Sequence, residues 1–233
     1  MSLLSLIARP RWLRPAAIEG DPFFEDVLLL LHMNGTALVD SSRFARAFGV
    51  GFGSQVSLSS EHRKFGDASL KTVAVFNNVS LIITDPSTDF ALADEDFTIE
   101  AWVRPTTLSG RHGIADFGPN NHFILEVSDA SKFRVFLWNG GGFAIISGTT
   151  TVATNTWYHV AVTRSGTTLK LWVNGVEEAS AGSATGPPSS SYGVRIGATA
   201  AGQFVGFTDE FRITRQARYT ETFSVPVKPF PDR

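Results

Sequence analysis

The chain reads as an all-β protein, an antiparallel two-sheet sandwich of the jelly roll kind. Three observations predict it. Apolar and polar residues alternate with period two over many short runs, turn signals such as Asn174-Gly175, Gly140-Gly141-Gly142 and Gly186-Pro187-Pro188 separate the runs, and no stretch sustains a helical period. There is no internal repeat.

Residues 1–24 stand apart as an N-terminal arm. Arg9, Arg11 and Arg14 precede the first acid, Glu19, while Pro10, Pro15 and Pro22 interrupt any regular element. Leu3, Leu4, Leu6, Ile7, Trp12 and Leu13 follow no clear period, so the arm has no means of folding alone. The expectation is docking: Leu6, Ile7 and Trp12 bury against a partner subunit while Arg9, Arg11 and Arg14 meet its acids. The opposing reading is an arm folded back on its own sandwich.

The first strand is expected at 27–32, VLLLLH, an unbroken apolar run of the kind buried on both faces. Gly49, Gly51 and Gly53 alternate with Val50 and Phe52, and no helix follows them; this is not the G-x-G-x-x-G loop that cradles a dinucleotide. Short strands follow around 71–76 and 80–84. In 97–104, FTIEAWVR, Phe97, Ile99, Ala101 and Val103 share one side and Thr98, Glu100 and Trp102 the other. Further strands are expected at 113–117, 123–127, 133–138, 143–147, 193–196 and 207–213.

The chain is organised around 157–176, WYHVAVTRSGTTLKLWVNGV, which reads as a hairpin with the start of a third strand. Val160, Val162, Leu169, Leu171 and Val173 form the core face; His159, Thr163, Lys170 and Trp172 form the other.

At 233 residues, with 19 Phe and 43% hydrophobic residues, the chain suits one large domain. It has no cysteine, which excludes disulfides and thiolate metal sites. A net charge of −2 gives no overall attraction to nucleic acid or anionic membrane. No apolar run approaches the roughly 20 residues of a spanning helix. The opening MSLLSLIARPRWLRP places its basic residues after its apolar patch, the reverse of a signal peptide, so synthesis without a secretory leader is expected.

Five segments then fall in order: Lys64-Phe65-Gly66 with Ser69; residues 96–105, DFTIEAWVRP; residues 157–164, WYHVAVTR; Leu169, Leu171, Val173, Asn174 and Gly175; and residues 209–214, DEFRIT. Together they resemble the laminin-G-like, concanavalin A-like jelly roll family, over about 27–231. Ala217-Arg218-Tyr219-Thr220 with Phe223, Pro226 and Pro229-Phe230-Pro231 is similar to the version found in bacteriophage virion proteins. With the arm read at 1–24, the expected organisation is a jelly roll domain at 25–222 and a tail at 223–233. The resemblance implies a virion-surface structural protein, of the tail, fibre or head-decoration type, made in the host cytoplasm. Its partners would be other capsid or tail proteins in an oligomeric assembly, with host-surface or mucosal glycans as further ligands.

Fold does not fix function, so the residues must speak to chemistry. Sandwiches that cleave glycans place two carboxylates about 5 Å apart across the scissile bond. Here Glu100 has no acid at alternate positions on its strand, nor has Glu126, and Asp209 and Glu210 are adjacent and so are expected on opposite faces. Ion pairs of Glu100 and Glu210 with an arginine such as Arg212 or Arg104 are the expected use. The five histidines (His32, His62, His112, His122, His159) show no zinc spacing, and no cofactor is expected; Asp116 and Asn121 supply too few oxygens to assign Ca²⁺. A lectin reading remains, in which Trp138 with Asn139, and Trp172 with Lys170, stack on sugars. Its counterpart is that both tryptophans are packing residues. The expectation is therefore a non-enzymatic structural protein, with a carbohydrate-binding receptor or adhesin module as the alternative and a glycan-cleaving enzyme behind it.

Overall fold

Alternation along the strands becomes two stacked β-sheets in the computed structural model. It describes residues 20–51, 56–74, 80–83, 88–118, 123–138, 143–182, 184–187, 193–199 and 202–233, with backbone only for Val50, Gly51, Trp138 and Phe143. The arm residues Leu6, Ile7, Arg9, Arg11, Trp12 and Arg14, and also Asn121 and Asn139, lie outside the described residues.

In chain order the strands are β1 (Val27–Leu31), β2 (Phe48–Gly51), β3 (Val56–Ser59), β4 (Ser69–Thr72), β5 (Ser80–Ile83), β6 (Phe97–Pro105), β7 (His112–Phe117), β8 (Phe123–Val127) and β9 (Phe133–Trp138). They continue as β10 (Phe143–Ser147), β11 (Tyr158–Ser165), β12 (Thr168–Val173), β13 (Val176–Ala181), β14 (Val194–Ile196), β15 (Ala198–Thr199), β16 (Gly202–Gln203) and β17 (Gly206–Thr214). Among the described residues the helical turns are two short 3-10 segments, Phe24–Asp26 and Thr88–Phe90. The first sheet has the order β13-β12-β11-β6-β17-β4-β3, with β1 also paired to β17; the second has the order β10-β9-β8-β7-β14-β5-β2, with β16 joined to β7.

The hairpin forms as expected, with Val162 opposite Leu171 and Val160 opposite Val173. Its core face joins Phe97, Ile99, Ala101 and Val103 of β6 against Phe117, Phe123, Leu125, Phe133, Val135 and Leu137 of the second sheet, all in one apolar cluster. β2 and β3 form where no strand was expected, paired to β5 and β4. In β2 alternate glycines leave few side chains from which to read a period, and β3 is a run of only four residues, VSLS. β4 begins earlier than expected, at Ser69, and ends at Thr72.

Both faces of β1 are buried. Leu29 and Leu31 enter the main cluster, while Val27 and Leu30 pack outward against Phe230. That contact belongs to the chain end, which crosses the outer face of the first sheet as a strap. Phe223 donates its N–H to Gly175 O (3.0 Å), and a Cβ on Gly175, whose φ is +82°, would meet Phe223 O at 2.1 Å. Only glycine fits that turn beneath the strap. Residues 20–24, assigned from sequence to the arm, also lie on the sandwich: Asp21 is buried, and its N–H donates to Arg233 O (2.8 Å).

Candidate recognition face

Two outer faces compete for a functional role, and the first sheet's face is closed. From β6, Glu100 points outward; Arg212, opposite it on β17, donates through Nη2 (2.7 Å) and Nε (2.9 Å), and Tyr219 Oη donates at 2.8 Å. His159 Nε2 lies 3.1 Å from the same carboxylate. Asp21 bridges Arg212 and Arg218, and the Arg212 guanidinium lies 3.8 Å from the centre of the Phe230 ring. Burial alone would raise the Glu100 pKa, but the charges of Arg212 and Arg218 and the His159 contact outweigh it and hold the carboxyl well below the usual range. This is a strapped-down ion network, with the expected Glu100–Arg212 pair at its centre.

Asp209 and Glu210 do not point to opposite faces. A β-bulge between Asp209 and Arg212, with Glu210 at φ +50°, turns both toward the strap side. Asp209 accepts N–H bonds from Lys64 (2.7 Å) and Phe65 (3.1 Å). Glu210 meets His32 Nδ1 (2.9 Å) and the Phe230 N–H (2.9 Å), so its partner is a histidine rather than the expected arginine. Burial pushes the Asp209 pKa up to about 7, against its two N–H bonds and with the help of the Glu210 charge. Burial would lower the His32 pKa, but Glu210 outweighs it and raises it.

The expected sugar-stacking residues divide between the sheets. Trp172 is fully buried, donates Nε1–H to Thr163 Oγ1 (2.8 Å), and has the Phe223 ring 5.7 Å away, so it is a packing residue and offers no platform. Lys170 Nζ binds Glu177 Oε2 (2.8 Å) and Thr220 O (3.0 Å), which fastens the strap. Trp138 ends β9 on the other sheet, opposite Phe143. The structure does not bring the two tryptophans together.

The second sheet's outer face is different. Phe123, Leu125 and Val127 of β8 enter the core, so Ile124 and Glu126 alternate outward; on β9, Arg134 and Phe136 stand opposite them. On β10, Ile145 is opposite Phe136 and 54% exposed, and Ser147 is opposite Arg134 and exposed. Glu126, fully buried, is clamped from two sides. Arg111 donates Nε and Nη2 to Glu126 Oε2 (3.0 and 2.7 Å), and Arg134 donates Nε to Oε1. The Arg111 guanidinium carbon is 5.8 Å from the centre of the Phe136 ring. Further along, Asp116 on β7 faces Arg195 on β14. Among the described residues no group of three or more His, Asp or Glu is placed to hold a metal ion.

A family model described as Laminin_G_3, concanavalin A-like lectin/glucanases superfamily, matches residues 72–222, more than half of the chain. The chain belongs to this superfamily. No match was found among curated protein sequences. Among solved structures, the binding domain of Paraclostridial Mosquitocidal Protein 1 is similar at TM-score 0.68 and 15% identity, over 84% of this chain and 50% of that one. The binding domain of botulinum neurotoxin DC, solved in complex with SialylT and also with rat synaptotagmin II, is similar at TM-score 0.66 and 17% identity, over the same shares. The chain thus spans about half the length of these structures, and the likeness is one of fold. Within the superfamily's two-sheet plan, this member closes one outer face with its own C-terminal strap.

Proposed function

We propose that the chain is a non-catalytic recognition module that contacts a glycan or glycosylated receptor through the outer face of its second sheet. The observation that carries this reading is the asymmetry of the sandwich. The strap covers Glu100, Trp172 and Val27 on one face, whereas on the other the exposed Ile145 and the half-buried Phe136 stand beside a polar clamp, which combines an apolar surface with oriented donors as a saccharide site requires. Glu126 is occupied by two guanidinium groups, so it serves as an anchor rather than as an acid aimed at a glycosidic oxygen. The binding domains similar in fold, solved with SialylT and with rat synaptotagmin II, support recognition over catalysis.

Display on a virion is proposed on the sequence resemblance, with docking through residues 1–19, since residues 20–24 of the expected arm pack on the sandwich. Removing residues 1–19 is expected to leave the melting temperature unchanged and to abolish incorporation into particles; normal incorporation overturns the docking.

The recognition reading is tested on a glycan array with intact protein and a Phe136→Ala/Ile145→Ala double variant. Binding that falls by about tenfold or more, equivalent to ~1.4 kcal/mol, at unchanged melting temperature supports it. An array with no bound glycan, or binding untouched by the double variant, overturns it.

A further inference from the structure

The clamp around Glu126 is one anion short. Two guanidinium groups carry ten N–H donors and two positive charges, while a carboxylate offers one charge and about four acceptor positions. Glu126 takes Nε and Nη2 of Arg111 and Nε of Arg134; Arg111 Nη1 and both terminal nitrogens of Arg134 have no hydrogen-bond partner among the described residues. Neither arginine is sealed, with side-chain exposures of 28% for Arg111 and 17% for Arg134, whereas Glu126 is at 0%. The positive surplus therefore sits at the surface and its counter-charge beneath. A partly desolvated guanidinium with unused donors is a strong site for a planar oxyanion, because the fork geometry accepts one bidentately.

The surroundings narrow the ligand. Phe136 follows Arg134 by two residues on the same face, about 7 Å along the strand. Ile145 lies across from Phe136, and Ser147 across from Arg134. Apolar surface thus begins one residue pair away from the anion position, and a free inorganic anion would leave it unused. A sugar ring bearing an acid group reaches both.

We infer that Arg111 and Arg134 bind the acid group of an anionic saccharide, a carboxylate or sulfate ester, whose ring lies over Phe136 and Ile145. This rests on the recognition reading above and specifies its ligand class. Glu126 is then a positioning residue, holding both guanidinium groups in place before the ligand arrives.

The test leaves the clamp intact. Ser147 is exposed and opposite Arg134, so Ser147→Asp supplies a tethered competitor for the open donors and Ser147→Lys adds a cation, with no buried group disturbed. Binding to immobilised polysialic acid and hyaluronan (carboxylate only), dextran sulfate (sulfate only) and dextran (neutral) is measured at low and high salt. Expected is binding to at least one acidic polymer, weakened by salt, and reduced by Ser147→Asp by about ten- to a hundredfold, the affinity equivalent of one charge-assisted hydrogen bond. Ser147→Lys should leave that binding equal or tighter. Preference for one acidic polymer identifies the acid group. Binding to dextran equal to that of the acidic polymers, or acidic binding indifferent to Ser147→Asp, overturns the anion site and leaves the recognition reading standing. No binding to any glycan, here or on the array, overturns both.

Discussion

Arg212 is the side chain on which the closed face depends, since it touches Glu100, Asp21 and the Phe230 ring at once. Arg212→Ala leaves Glu100 buried with its principal counter-charge removed. The expected cost is about 3–5 kcal/mol in urea unfolding, the range for breaking a buried pair from one side. Leu171→Ala should cost about 2–5 kcal/mol by cavity formation. Asp209 sets a pH dependence. Its folded pKa of about 7 lies above the ordinary 3.8, so the folded state holds the extra proton between those values and stability falls as pH rises through that window. Asp209→Asn keeps an acceptor for the Lys64 and Phe65 N–H groups, so it should flatten the melting temperature between about pH 4 and 7; an unchanged slope would assign the effect elsewhere. Glu100–Arg212 was legible because simple alternation puts Glu100 outward. The side taken by Glu210 was not, because a bulge adds a residue that alternation cannot count, and the burial of Trp172 was not, because what covers it lies about 50 residues downstream.

At the scale of elements, the strap is what the sequence reading did not anticipate. The tail's aromatic and proline residues were visible as a family resemblance, yet their physical use, covering the outward half of VLLLL and the ion network, needs the tertiary structure. The run itself did carry the information that both faces of β1 are buried. Phe230 fills the outer cluster with Val27 and Leu30, so Phe230→Ala is expected to cost about 3–5 kcal/mol. Deleting residues 217–233 should do more: it exposes Val27, Leu30 and Trp172 and strips Arg218 and Tyr219 from the network, so a sharply lowered melting temperature or insoluble protein is expected. A full-length melting temperature in that truncation would show that the strap only rests on the sheet. The recognition face was not picked out in the sequence. A strand at 133–138 was expected, but Arg134 and Phe136 were not singled out on it, Arg111 precedes its strand, and its convergence on Glu126 depends on register across β7, β8 and β9.

For the molecule as a whole, the division of labour between sheets predicts binding without turnover: incubation with acidic or neutral polysaccharides should release no reducing ends, and release abolished by one acidic substitution would show a catalyst. The fold was readable because five segments in fixed order constrain a whole topology. The binding surface was not, since outward side chains answer to a ligand rather than to the core. The Asp21 N–H bond to Arg233 O sets residue 21 beside residue 233. Behind that point, Val27 of β1 faces Thr214 of β17 as antiparallel neighbours. A tensile load applied between residues 20 and 233 would not shear the sheets. It would lift the strap and then unzip β1 from β17 one pair at a time from the same end, a geometry in which each hydrogen bond meets the load alone. In force spectroscopy the domain should therefore yield softly when pulled from both ends, and resist more when it is pulled between residue 20 and the far face at Ile145.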